Sequence, residues 1–230
     1  MMNEKVKGVA RQAIEWVISP EANQLEFLTE QKPAIVSAIL VMLCLVTPLF
    51  SCLAGFNQTA GDIASKGLRF LLIRTERPNI FLGRFIGTFL FSAVVNLGLF
   101  AILALYMALR VKVHDPGDMV LWLLQGYLRL QLFVLPYIAL CALVSASIDS
   151  AFGSLVIALM LAYVYPLLIT IGARANDVVA YGQYLTPWGY KYWLLEPVAS
   201  AKFLGAAGIM IGFTAAIMFL GMNLFKKRDL

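Results

Sequence analysis

Five stretches of this chain, at residues 33–57, 80–109, 119–146, 151–172 and 203–224, are apolar over about 20 residues or more, the length an α-helix needs to cross about 30 Å of hydrocarbon. No Asp or Glu stands inside any of them. Backbone polar groups in lipid must be satisfied within the segment itself, so each run reads as a membrane helix and not as a strand with open edges. Composition agrees: 61% of the 230 residues are hydrophobic and 13% charged, against about 45–50% and about 25% in soluble domains. The expected fold is all-α, a polytopic membrane helical bundle of five transmembrane helices, with Pro48 kinking the first.

The links differ in character. Residues 3–18 set Val6, Ala10, Ala13, Ile14 and Val17 at helical spacing opposite Glu4, Lys5, Lys7, Arg11 and Glu15. This is an amphipathic helix that lies on a membrane surface or packs on protein. Pro20, Glu21, Glu26 and Glu30 exclude a span there, so residues 1–32 form a helix and linker ahead of a transmembrane domain at 33–230. The stretch 57–79 is polar, 110–118 is a Pro-Gly turn carrying His114, and 147–150 is a short polar link. The third run opens amphipathically around Gln125, Arg129 and Gln131, as one span or as an interfacial turn followed by a span from near Leu132. Residues 173–202 are too polar to cross and hold six aromatics between Tyr181 and Trp193. Trp and Tyr concentrate at headgroup level, so this segment is expected to dip into or lie on one interface.

Cytoplasmic loops carry an excess of Lys and Arg. Lys66, Arg69, Arg74, Arg77 and Arg84 fall on the same side as Lys226, Lys227 and Arg228, which is therefore the expected cytoplasmic side. The other side holds Arg110, Lys112, Arg174, Lys191 and Lys202, together with residues 1–32. The net charge of +5 belongs to these loops and to anionic headgroups; no basic stripe lies on a polar element, so nucleic acid is not an expected partner. Cys44, Cys52 and Cys141 all lie in apolar runs and read as small buried hydrophobes, not as a disulfide framework or a metal site. The first residues have acids among their bases and no long apolar core, unlike a secretory signal.

No G-x-x-x-x-G-K-[ST] loop occurs, so the chain has no phosphate cradle of that kind. The acid-free span interiors argue against an ion-coupled carrier, which keeps costly intramembrane acids for function. No Ser/His or paired-Asp arrangement points to an intramembrane protease. Arg129 is the one base that could lie at depth in a span; it snorkels to the interface or faces an anion. Thr47, Ser51, Thr88, Ser92, Asn96, Thr170 and Asn223 are mild polar groups that could face a cavity or dimer path suited to amphipathic cargo. Gly83/Gly87 and Gly208/Gly212 have the small-xxx-small spacing of close helix contacts.

Three places carry a family resemblance. Residues 61–87, GDIASKGLRFLLIRTERPNIFLGRFIG, have an acid (Asp62), a Gly-containing short helix (Gly67), a Leu-rich stretch at 68–72, then a basic turn into Gly83-Arg84 at the next span. Residues 145–161, SASIDSAFGSLVIALML, form a small-residue junction between late spans, and the last span closes in FKKRDL. In order and spacing these resemble the ABC-2-type permeases of ATP-binding-cassette transporters. That family usually has six spans, one before the helix at 33–57, and a proline and a Gly-Thr pair in the cytoplasmic segment that this chain lacks. The resemblance implies an exporter subunit in a bacterial or archaeal cytoplasmic membrane. It would pair with a second permease chain, identical or related, and with two copies of an ABC ATPase. ATP and Mg would sit on that ATPase, with no cofactor bound by this chain and no enzymatic activity of its own. It also implies a coupling loop of Asp62, Lys66, Gly67, Arg69, Arg74, Glu76 and Arg77, whose bases otherwise anchor the loop to headgroups. Tyr184, Trp188, Tyr192 and Trp193 form an interfacial belt or, by the same resemblance, an external gate. The alternative, favoured by the absent first span, is a non-transporting scaffold or anchor built on the permease fold.

Overall fold

The computed structural model describes residues 8–14, 25–67, 72–73, 75–110, 116–173, 179 and 181–227. Five helices in it are long and apolar enough to cross a membrane: Ala34–Ala64, Arg77–Leu109, Gly117–Ser147, Ala151–Gly172 and Ala201–Lys227. They make the chain an all-helical, multi-pass membrane protein, and no strand occurs among the described residues. Each is named below by its order as a span. The first runs helical through Pro48 to Gly55, then breaks before a separate short helix, Ala60–Ala64.

The third span is the axis of the bundle. Of its most apolar stretch 72% is buried, against 50% in the first span, 17% in the fourth and fifth, and 6% in the second. It is one continuous helix, Pro116–Ser147, passing through Pro136. No interfacial turn precedes Leu132, because the residues before it are packed: Trp122, Leu123 and Leu130 are buried. The fifth span covers the third most extensively, followed by the first and second.

Two cores lie along this axis. The smaller joins the start of the second span to the third and the end of the fifth through Phe81, Phe85, Ile138, Met218 and Phe225. The larger gathers Leu40, Cys44, Trp122, Phe133, Tyr137, Leu194 and Met210, and runs on along the third span to Cys141 and Val144. Ile14 and Leu28 are fully buried in or beside that larger core. Of the two readings of the N-terminal helix, residues 8–14 therefore show packing against protein.

Chain order puts the loop 57–76, the link 148–150 and the end of the fifth span at one end, called here the junction end. Residues 25–33, the start of the third span and residues 181–200 meet at the opposite, aromatic end. Phe27 sits edge-on to Trp122 with ring centroids 5.7 Å apart, fixing the N-terminal linker there. The fourth span carries a π-helical turn, Met160–Val164, at its middle, an irregularity that recurs at functional sites. Residues 181–195 form three short 3-10 turns, Tyr181–Leu185, Pro187–Tyr190 and Trp193–Leu195. They do not cross. They fold back among the spans, with Trp188 edge-on to Tyr163 at 5.7 Å and Tyr190 against Phe213 at 6.4 Å.

Candidate functional site

At the junction end the short helix is held from outside its own sequence. Its N-cap, Thr59, makes no side-chain cap bond. The Ser145 hydroxyl, from the end of the third span, accepts instead from the Thr59 amide at 2.8 Å, the Ala60 amide at 2.9 Å and the Thr59 hydroxyl at 3.2 Å. The first amides of a helix have no partner in their own ladder, and a hydroxyl commonly supplies it; here the hydroxyl belongs to another span. Ser154 donates to the Phe56 carbonyl at 2.8 Å and ties the fourth span to the same loop. Asp62 pairs with Arg84 at the start of the second span. Arg77 donates to the Lys226 carbonyl at 3.2 Å, meeting the negative end of the fifth span's dipole.

The stretch after the first span is thus keyed to the second, third and fourth spans, and Arg77 ties the start of the second span to the end of the fifth. Lys66 and Glu76 are exposed and Gly67 half-exposed. An open hollow of about 730 Å³ lies beside Glu76, lined also by Leu72, Ile73, Thr75, Arg77, Pro78 and Lys226. Ile73 on its rim is 81% exposed. Arg69 and Arg74 lie outside the described residues.

The expected cavity residues come together in part. Thr47 and Ser51 of the first span and Ser92 and Asn96 of the second line one cavity of about 360 Å³, with Phe50, Phe91, Val95 and Leu99 around them. Thr88 does not join them; its hydroxyl is turned back to the Arg84 carbonyl at 2.9 Å. The cavity is open on the flank of the bundle, since Phe50, Phe91 and Val95 are exposed. Thr170 likewise bonds its own helix, at Pro166. A Cβ placed on Gly83, Gly87, Gly208 or Gly212 would meet nothing within 4 Å, so these glycines make no helix contact within the described chain.

At the aromatic end, Tyr184, Tyr190 and Trp193 form one cluster with centroids 5.3 to 6.3 Å apart. Trp188 and Tyr192 flank a different group, the Lys191 ammonium, which lies 3.7 Å from one ring centroid and 4.4 Å from the other. Lys191 is buried and is not the loop charge that the orientation count takes it to be. Burial pushes its pKa down to about 7, opposed by the nearby Cys44.

Arg129 is 3% exposed, so it does not snorkel to an interface. Its guanidinium sits 4.7 Å from the Trp122 ring centroid and 5.2 Å from that of Phe203. None of its three nitrogens has a hydrogen-bond partner among the described residues. A cation over an aromatic face gains about 0.5–2 kcal/mol, whereas burying an unpaired charge costs several kcal/mol. Two ring contacts therefore leave Arg129 under-compensated.

The missed residues are Ser145, Ser154, Arg84 and Lys191. The first two stand in the small-residue junction at 145–161, where the serines at 145, 147, 150 and 154 are the signal; their convergence on the loop depends on how the spans rotate. No protein-family model matches this chain, and no curated protein matches it either.

Proposed function

We propose that this chain is the membrane-spanning permease subunit of an ATP-binding-cassette exporter, of the ABC-2 type, driven by a separate ATPase. The observation that carries this reading is the keyed loop. A short helix at the membrane boundary, capped by Ser145 and ion-paired through Asp62 to Arg84, is a lever with little slack. A push on it reaches the second, third and fourth spans through named bonds. The hollow lined by Ile73, Glu76, Arg77 and Lys226 offers an exposed apolar side chain ringed by charge, a surface of the kind a docking protein covers. Two ATPase subunits and a second permease chain complete the assembly in this reading, with ATP and Mg on the ATPases. ATP-driven closure of the ATPases moves the loop, and the spans alternate their access. The cavity of Thr47, Ser51, Ser92 and Asn96 opens on the flank of the bundle, where a second chain or an amphipathic cargo would meet it. A bacterial or archaeal cytoplasmic membrane is the compartment proposed.

The test is co-expression with an ATPase encoded beside this chain, purification of the complex, and turnover in vesicles. Glu76→Lys combined with Ile73→Asp, both at exposed positions, is expected to reduce ATPase co-purification at least about tenfold, the equivalent of about 1.4 kcal/mol. Undiminished binding by that double variant would remove the docking surface from the proposal. The second reading, a non-transporting scaffold, is favoured by the count of five spanning helices among the described residues. ATP hydrolysis that no lipidic compound stimulates, in a complex that still assembles, would select it.

A further inference from the structure

The third span sets Gln125, Leu128, Arg129 and Leu132 on one face, at helical spacing. With Val198 and Phe203 they enclose a cavity of about 360 Å³ beside the fifth span, at the aromatic end. Among the described residues, Arg129 is the one charged residue lining it. The rim is apolar and open, with Leu128 57% and Val198 45% exposed. We propose that this cavity binds the phosphate headgroup of an anionic amphiphile, with the Arg129 guanidinium as its anchor and the acyl portion lying over Leu128 and Val198.

The chemistry follows from what Arg129 lacks. Nε and both Nη atoms are buried without an acceptor, and a guanidinium presents its donors in a planar fork that matches a phosphate with two parallel bonds. Gln125, one turn earlier, offers an amide donor to the same space. The rings of Trp122 and Phe203 lie against the guanidinium, their centroids 4.7 and 5.2 Å from its carbon, and neither accepts a conventional hydrogen bond from it. Lys191, buried as well, shares Cys44 with Arg129 as an electrostatic neighbour. The region therefore carries two buried basic side chains, and no described carboxylate is among the groups acting on either. A free hydrophilic anion would have to leave water and pass the apolar rim, whereas a lipid already in the bilayer would lay its chain on that rim. The site does not depend on transport, so its test needs no ATPase.

Native mass spectrometry of the purified full chain, titrated with phosphatidylglycerol and with phosphatidylcholine, reads the preference directly. The wild-type chain is expected to favour phosphatidylglycerol, and Arg129→Met to lower that preference about tenfold or more, with Arg129→Lys falling between because the charge remains and the fork is lost. Leu128→Trp narrows the rim, leaves the guanidinium in place, and is expected to weaken phosphatidylglycerol binding too; it serves if the Arg129 variants fail to fold. Equal binding of the two lipids by wild type, or unchanged phosphatidylglycerol binding in both Arg129→Met and Leu128→Trp, overturns the site. Displacement of phosphatidylglycerol by inorganic phosphate at matched concentration overturns the amphiphile as its occupant in favour of a free anion.

Discussion

At Lys191 an ammonium is pressed between the Trp188 and Tyr192 faces, and burial leaves it with a pKa of about 7 against an ordinary 10.5. Between those values the folded chain holds Lys191 neutral while the unfolded chain keeps it protonated. The unfolded state then binds more protons, and stability rises with pH. Thermal unfolding in detergent is expected to shift upward from pH 7 toward pH 10, with a slope of at most about 1.4 kcal/mol per pH unit. Lys191→Met should flatten that slope. An unchanged slope in the variant would assign it to other groups. Above that range burial also raises Tyr190 and carries Tyr192 to about 12, which reverses the sign, so the comparison belongs below pH 10.

Among the elements, glycine contacts separate tight joints from open faces. A Cβ at Gly221 would stand 2.5 Å from the Phe81 ring, and Phe81 is buried with its ring 6.0 Å from that of Phe225. Gly221→Ala is expected to destabilise the joint between the second and fifth spans by about 1–3 kcal/mol, the usual cost of overpacking. Gly208→Ala, where a Cβ meets open space, should leave the melting temperature within error. Equal melting temperatures for the two variants would refute this joint. The folded-back segment has its own constraint: a Cβ at Gly189 would come 2.4 Å from the Gln183 carbonyl oxygen, so only glycine lets the 3-10 turns stack as they do. The third span's burial was foreshadowed in its sequence only weakly, because its polar opening, Gln125 to Gln131, reads as exposed. Burial among the other helices overrides that local pattern.

For the whole molecule the alternation of spans puts Lys66 and Tyr181 at opposite ends. All three native cysteines are free and buried, so a single introduced cysteine reports alone to an impermeant thiol reagent. Both positions are exposed. Lys66→Cys is expected to label only from the cytoplasmic face and Tyr181→Cys only from the other; labelling of both from one face would overturn the topology and the lever with it.

The sequence by itself determined that this chain is a five-span helical bundle with a basic loop after the first span and a non-crossing aromatic segment before the last. Span length, apolar period and the absence of intramembrane acids are properties of each segment alone, and they survive whatever the segments pack against. Only the tertiary structure decided that Ser145 caps a helix 85 residues away in the chain, that Thr88 turns from the cavity its neighbours share, and that the basic side chains Arg129 and Lys191 are buried. Those outcomes depend on how each helix is rotated about its axis, which is set by side-chain packing between spans and is not written in any one of them.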